Sequence, residues 1–91
     1  PQQFAQFQRN CFKTQKEYIR RYLEMGQQAG LVRANLNIEL VAGLFAKIHS
    51  DAIRDIEEIE GHGYNMHQFG YTVMDVFVRG VLSEEGMKLY N

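Results

Sequence analysis

The stretch Met66 to Leu82, MHQFGYTVMDVFVRGVL, decides how the rest of the chain is read. Wound as a helix it keeps one narrow polar strip, Gln68, Thr72, Asp75 and Arg79, at spacings of four, three and four. Asp75 and Arg79 can pair along that strip, whereas a strand would scatter the four residues over both sides of a sheet. Four valines and two phenylalanines would suit a strand, so the strip and not the propensity makes the choice. The remaining sides, from Met66, Phe69 and Tyr71 through Val73, Met74, Val76, Phe77 and Val78 to Val81 and Leu82, are apolar. A helix apolar over most of its circumference must be covered on more than one side. A short three-helix chain cannot easily do that alone, so the expectation is that this helix faces its own chain on one side and a second copy on another.

Asn65 followed three residues later by Gln68 has the form of a capping box that launches this helix, and Gly61, His62, Gly63 and Tyr64 form the turn before it. Upstream, Leu40, Val41, Leu44, Phe45, Ile48, Ala52, Ile56 and Ile59 recur at helical spacing. Lys47, Asp51, Arg54, Asp55, Glu57 and Glu58 hold the wet side of that helix. Asn37 is its expected N-cap, and Glu39 favours the positive end of its dipole. The first segment places Phe4, Phe7, Cys11, Tyr18, Tyr22 and Met25 on one row and Phe12, Ile19 and Leu23 on the adjoining row. Lys13 with Glu17, Glu17 with Arg21, and Arg20 with Glu24 sit on its outer face. Gly30 fits the left-handed residue that ends this helix, with Leu31 folding back onto the last turn. The reading is therefore all-α, with three main helices at about 3–29, 38–60 and 66–82. Ser83, Glu84 and Glu85 cap one more short helical turn toward Tyr90. No internal repeat and no low-complexity segment interrupts the pattern.

Ninety-one residues make one domain, near the lower end of the size at which a monomer buries enough apolar surface to be comfortably stable. With 45% hydrophobic and 23% charged residues, the chain should fold. Ten basic residues against eleven acidic ones leave a formal net charge of -1, which lacks the positive field of a nucleic-acid-binding surface. Cys11 is the only cysteine, so there is no internal disulfide and no cysteine-rich zinc site, and a reducing cytoplasm is the expected compartment. No apolar run approaches the length of a membrane span and no signal segment opens the chain. The opening at Pro1, directly into helical sequence, reads as part of a longer polypeptide.

Three strings together resemble the C-terminal regulatory domain of TetR-type transcriptional repressors. They are AGLVRANLNIELVAGLF from Ala29 to Phe45, the second helix down to its acidic 55–60 segment and Gly61–Gly63 turn, and TVMDVFVRGVLSEEG from Thr72 to Gly86. The resemblance covers most of the chain from about Tyr18 onward, and departs from the usual pattern at residues 35–38, where Asp and Pro are common. It implies a helical domain whose last two long helices pair with those of a second subunit as a four-helix bundle. It also implies a small, often apolar effector, and DNA binding carried by an N-terminal helix-turn-helix domain outside this chain.

Candidate sites follow from both readings. Gly70, Val73, Phe77 and Gly80 lie on one stripe of the third helix, and Ala46, His49 and Ile53 on one row of the second; these are the expected dimer seam, the alternative being packing inside the subunit. Phe4, Phe7, Cys11, Tyr18 and Tyr22 make an aromatic side with two phenolic hydroxyls, the mixture expected of an effector pocket, or else simply core. Asp51, Asp55 and Glu58 with His62 could suggest a divalent metal, but a solvated acidic face is the plainer account. A basic partner for that face is a further possibility. His49 reads as a half-buried structural histidine and His67 as exposed. No nucleophile with a base, paired carboxylate, phosphate-binding loop or His/Cys metal set is present, so the expectation is no enzyme and no cofactor. The chain reads as the dimerisation and effector-sensing half of a TetR-like repressor, the alternative being a helical homodimerisation module with no ligand.

Overall fold

The computed structural model describes residues 2–90, and among them the chain is all-α. The helices are α1 (Gln2–Gln28), α2 (Ile38–Arg54), α3 (Ile56–Gly61), α4 (Met66–Val81) and α5 (Glu84–Tyr90). The caps stand where their residues require them. Gly30 takes φ 78°, Leu31 N–H donates to the Gly26 carbonyl at 2.8 Å and Gly30 N–H to that of Gln27 at 3.1 Å. This is the paired closure that a left-handed glycine allows at a helix end. Asn37 Oδ1 accepts from Leu40 N–H at 3.1 Å, and Asn65 Oδ1 accepts from His67 and Gln68 N–H at 2.8 and 3.3 Å.

One expected element is corrected. The second helix is not continuous to residue 60; it is interrupted at Asp55, which leaves the helical region with φ -106° and ψ 26°. Asp51, Asp55, Glu57 and Glu58 would all crowd the negative end of a single dipole. Breaking at Asp55 instead places Glu57 and Glu58 in the first turn of α3, where negative charge is favoured. Asp55 itself keeps a helical hydrogen bond on each side, its N–H donating to the Asp51 carbonyl at 2.9 Å and its carbonyl accepting from Ile59 N–H at 3.0 Å.

α1 and α2 run back along one another. Ala42 and Ala46, four apart and 0% exposed, give α1 a close approach. Lys16 lies across Gly43 and pairs with Glu39 at 2.5 Å. The rest of the core gathers at one end, where Leu23, Val32 and Val81 are buried and Ile19, Leu36, Ile38, Val41 and Phe77 pack around them. A short antiparallel bridge between Val32 and Leu82 holds that end together. Arg33 N–H donates to the Val81 carbonyl and Ser83 N–H to the Leu31 carbonyl, each at 2.9 Å. Ser83 Oγ accepts from Gly86 N–H at 3.1 Å, capping α5, and donates to the Gly30 carbonyl at 2.6 Å, which ties α5 to the turn that follows α1. Gly86 is buried so close to the Leu31 carbonyl oxygen that a Cβ there would collide with it.

α5 closes onto α4 through a second polar contact that the sequence pattern did not announce. Asp75 Oδ1 accepts from Arg79 Nε at 2.9 Å, as expected, and also from the Tyr90 hydroxyl at 3.0 Å. The Arg79 guanidinium lies 5.2 Å from the centre of the Tyr90 ring, within cation–π range. The Arg79 hydrogen bond, aided by that of Tyr90, holds the Asp75 carboxyl below its ordinary range. The same Asp75 bond pushes the Tyr90 phenol up.

The molecule is flat and open, with Cα extents of 44 × 31 × 15 Å and a radius of gyration of 14.9 Å. A compact domain of this length would have a radius of ~12 Å. Its accessible surface is 7003 Å², against roughly 5,500 Å² for a compact monomer of the same mass.

Two outcomes follow. Gly86→Ala should destabilise by about 1–3 kcal/mol, because backbone and not a flexible side chain must move, and Ser83→Ala by about 0.5–2 kcal/mol through the lost cap; urea unfolding measures both. The α4–α5 contact should persist only in a pH window. Its Asp75 share is present above the ordinary carboxylate pKa and is lost as pH falls through the depressed value. Its Tyr90 share is present below the ordinary phenol pKa and is lost as pH rises through the raised one. In a titration of phenolate absorbance, Tyr90→Phe should remove a component that titrates above the ordinary tyrosine range.

Candidate interaction surfaces

α2 and α4 meet chiefly through two rings. Phe45 and Phe77 stand 3.8 Å apart between centroids, tilted by 34°. Beside that contact the two helices leave an open groove of about 300 Å³, lined by Val41, Leu44, Phe45 and Ile48 from α2 and by Thr72, Val73, Val76 and Phe77 from α4. Thr72 is the only polar residue in the lining, and its hydroxyl is spent on the Gln68 carbonyl at 2.8 Å. The rim is apolar and exposed. Leu44 is 59% and Val76 66% accessible, with Leu40 and Ile48 continuing the row at helical spacing. Leucines and valines in such positions offer surface to another apolar body and nothing to water.

The expected seam residues are divided by the structure. Val73 and Phe77 do line the groove. Gly80 and Gly70 are open, with nothing within 4 Å of a Cβ at either. Ile53 and His49 are exposed, so His49 is not the half-buried histidine expected. Ala46 is wholly buried within its own chain and presents no surface to a second one. It faces α1 because its row, shared with Ala42, is where a small side chain lets two helices close. The residues that carry the exposed face, Leu40, Leu44, Ile48 and Val76, were visible as a four-apart row in α2 and one valine in α4. Their periodicity marked them as apolar without saying whether α1 or water lay opposite.

The five expected effector residues lie on one exposed side of α1. Phe4, Phe7, Tyr18 and Tyr22 are 59–67% accessible and Cys11 is exposed, so they form a ridge and not the wall of a cavity. A single helix face cannot wrap a ligand without a second wall. Tyr18 alone joins a hollow, and the rest of that hollow, Lys13, Thr14, Glu17 and Arg21, is polar. Here Glu17 binds Arg20 at 2.5 Å and Arg21 at 3.4 Å. The Arg20 hydrogen bond, foremost, draws the Glu17 carboxyl below its ordinary value, while Glu17 raises the Arg20 guanidinium. These are exposed ion pairs, which hold side chains in place more than they stabilise the fold.

The acidic side of α2 is matched by its own bases. Asp51 lies 3.4 Å from Lys47 and 3.3 Å from Arg54, and Asp55 lies 3.2 Å from Arg54. Among the described residues no group of His, Cys, Asp and Glu is placed to hold a metal ion, and no helix is long and apolar enough to cross a membrane. No family model, no curated protein and no solved structure matches the chain.

Proposed function

We propose that the chain is the dimerisation half of a TetR-like transcriptional regulator, working in the cytoplasm, in which α2 and α4 pair with the same two helices of a second copy as a four-helix bundle. The observation that carries this reading is the apolar rim of the α2/α4 groove on a chain that exposes 7003 Å². The surplus over a compact monomer, roughly 1,500 Å², is more than the ~800 Å² that each partner contributes to a standard interface. The groove is self-complementary in the sense a two-fold axis needs, since each copy supplies both an α2 and an α4 ridge. DNA binding belongs, in this reading, to an N-terminal helix-turn-helix domain outside the 91 residues. A small rotation at the bundle would then alter the spacing of two recognition helices.

Effector sensing by a small apolar molecule beside α1 rests on the resemblance. The openness of the Phe4–Tyr22 side favours the alternative, a helical homodimerisation module with no ligand, because a ridge gives a ligand one wall only. Thermal stability in the presence of a panel of apolar compounds separates the two, since a true ligand raises the melting temperature with concentration.

Sedimentation tests the shared claim. The chain should associate at micromolar concentration, and Ile48→Glu with Val76→Glu should weaken the pairing at the groove by roughly a hundredfold or more, since an unpaired buried charge costs about 3–5 kcal/mol. Gly80→Leu, which fills open space beside the same rim, should also hold the copies apart. A well-folded monomer at every concentration would overturn the reading.

A further inference from the structure

The groove does not account for α1. This helix has two apolar sides. Leu23 and Ile19 pack in the core and Phe12 beside them is half-buried, while a second row, Phe4, Phe7, Cys11, Tyr18, Tyr22 and Met25, is exposed along its whole length. At 3.6 residues per turn the six exposed residues fall in a sector roughly 60° wide, about a third of a turn from the inward row. No charged residue interrupts the sector, and it shares no residue with the α2/α4 groove. A seam of standard size at the groove would remove roughly 800 Å² per chain, leaving about half of the surplus surface uncovered.

The spacing of the row names its occupant. From Phe4 to Met25 the steps are three, four, seven, four and three, which read the same in both directions about a point between Thr14 and Gln15. We infer that α1 pairs antiparallel with α1 of a second copy, on a two-fold axis at that point. In this register every apolar residue of one row meets an apolar residue of the other: Phe4 the second copy's Met25, Phe7 its Tyr22, Cys11 its Tyr18. A face that must match itself under a two-fold rotation needs such a palindrome, and a row built for a different partner does not. Phe4 against Met25 and Tyr18 against Cys11 set aromatic rings on sulfur, a favourable contact, and Phe7 against Tyr22 sets ring on ring. Together with the groove, this second two-fold contact would join dimers into tetramers or into longer assemblies, depending on whether the two axes close.

Disulfide trapping reads the register directly. In Tyr18→Cys, the new thiol lies opposite Cys11 of the second copy, and mild oxidation should give covalent dimers, seen on a non-reducing gel, several times faster than in the unaltered chain or in Tyr22→Cys. Equal or faster trapping of the unaltered chain would mean Cys11 faces itself in a parallel pair, and overturns the inference. Phe7→Glu, an exposed substitution whose folding is checked by circular dichroism, should reduce the assembled species to the mass of a groove-paired dimer. An unchanged mass would remove the α1 pairing while leaving the groove reading intact. Tyr18→Cys should still trap dimers in the Ile48→Glu, Val76→Glu background. Loss of trapping there would show that α1 does not associate on its own, and equally sinks the proposal.

Discussion

Everything in this chain depends on one backbone pairing, the short bridge between Val32 and Leu82. It joins the segment leaving α1 to the segment leaving α4, so residues some fifty positions apart share one small core. Two backbone bonds at 2.9 Å and the Ser83 side chain satisfy the polar groups at these helix ends. Without them, the end of α1 and the end of α4 would bring unpaired carbonyls and amides to the most buried place in the molecule. The glycines follow from this closeness. Gly86 is needed where α5 passes the Leu31 carbonyl, and Gly26 where Val32 folds back against α1.

With the ends clamped there, the remaining lengths of the helices spread. Away from the bridge, α4 touches α2 mainly through Phe45 and Phe77, and α1 packs chiefly on α2. The result is a plate 15 Å thick in its Cα trace. Its buried hydrophobic residues are few and mostly small, Leu23, Val32, Val81 and two alanines. A thin plate has two broad sides and little interior, so apolar side chains that a rounder molecule would enclose stay at the surface. The open α2/α4 groove and the outer row of α1 are consequences of the same geometry. Both proposals rest on that single property, apolar area in excess of what the fold itself can cover, and they differ in the helix that presents it.

Local structure was legible because its causes are local. Asn37, Asn65, Gly30 and the Asp75–Arg79 pair act within one or two turns of the helices they cap or brace, and each is found in its expected place. The interruption at Asp55 was less visible, since the apolar period runs straight through it and only the crowding of carboxylates argues for a break. The Tyr90 contact with Asp75 could not be read at all, because it requires knowing that α5 turns back along α4.

Local patterning along the string was enough to make this a helical chain, to place its helix ends to within a few residues except at the break at Asp55, and to signal more apolar content than one small core needs. Helical periodicity and capping chemistry act over a few residues, so they survive in the string. Which apolar row is covered was settled by how the helices assemble. Ala46 and Leu44 sit two residues apart on one helix, yet Ala46 is sealed against α1 and Leu44 stands open beside the groove. That choice belongs to the direction in which α1 and α4 approach α2, and the direction is set by the distant pairing of Val32 with Leu82.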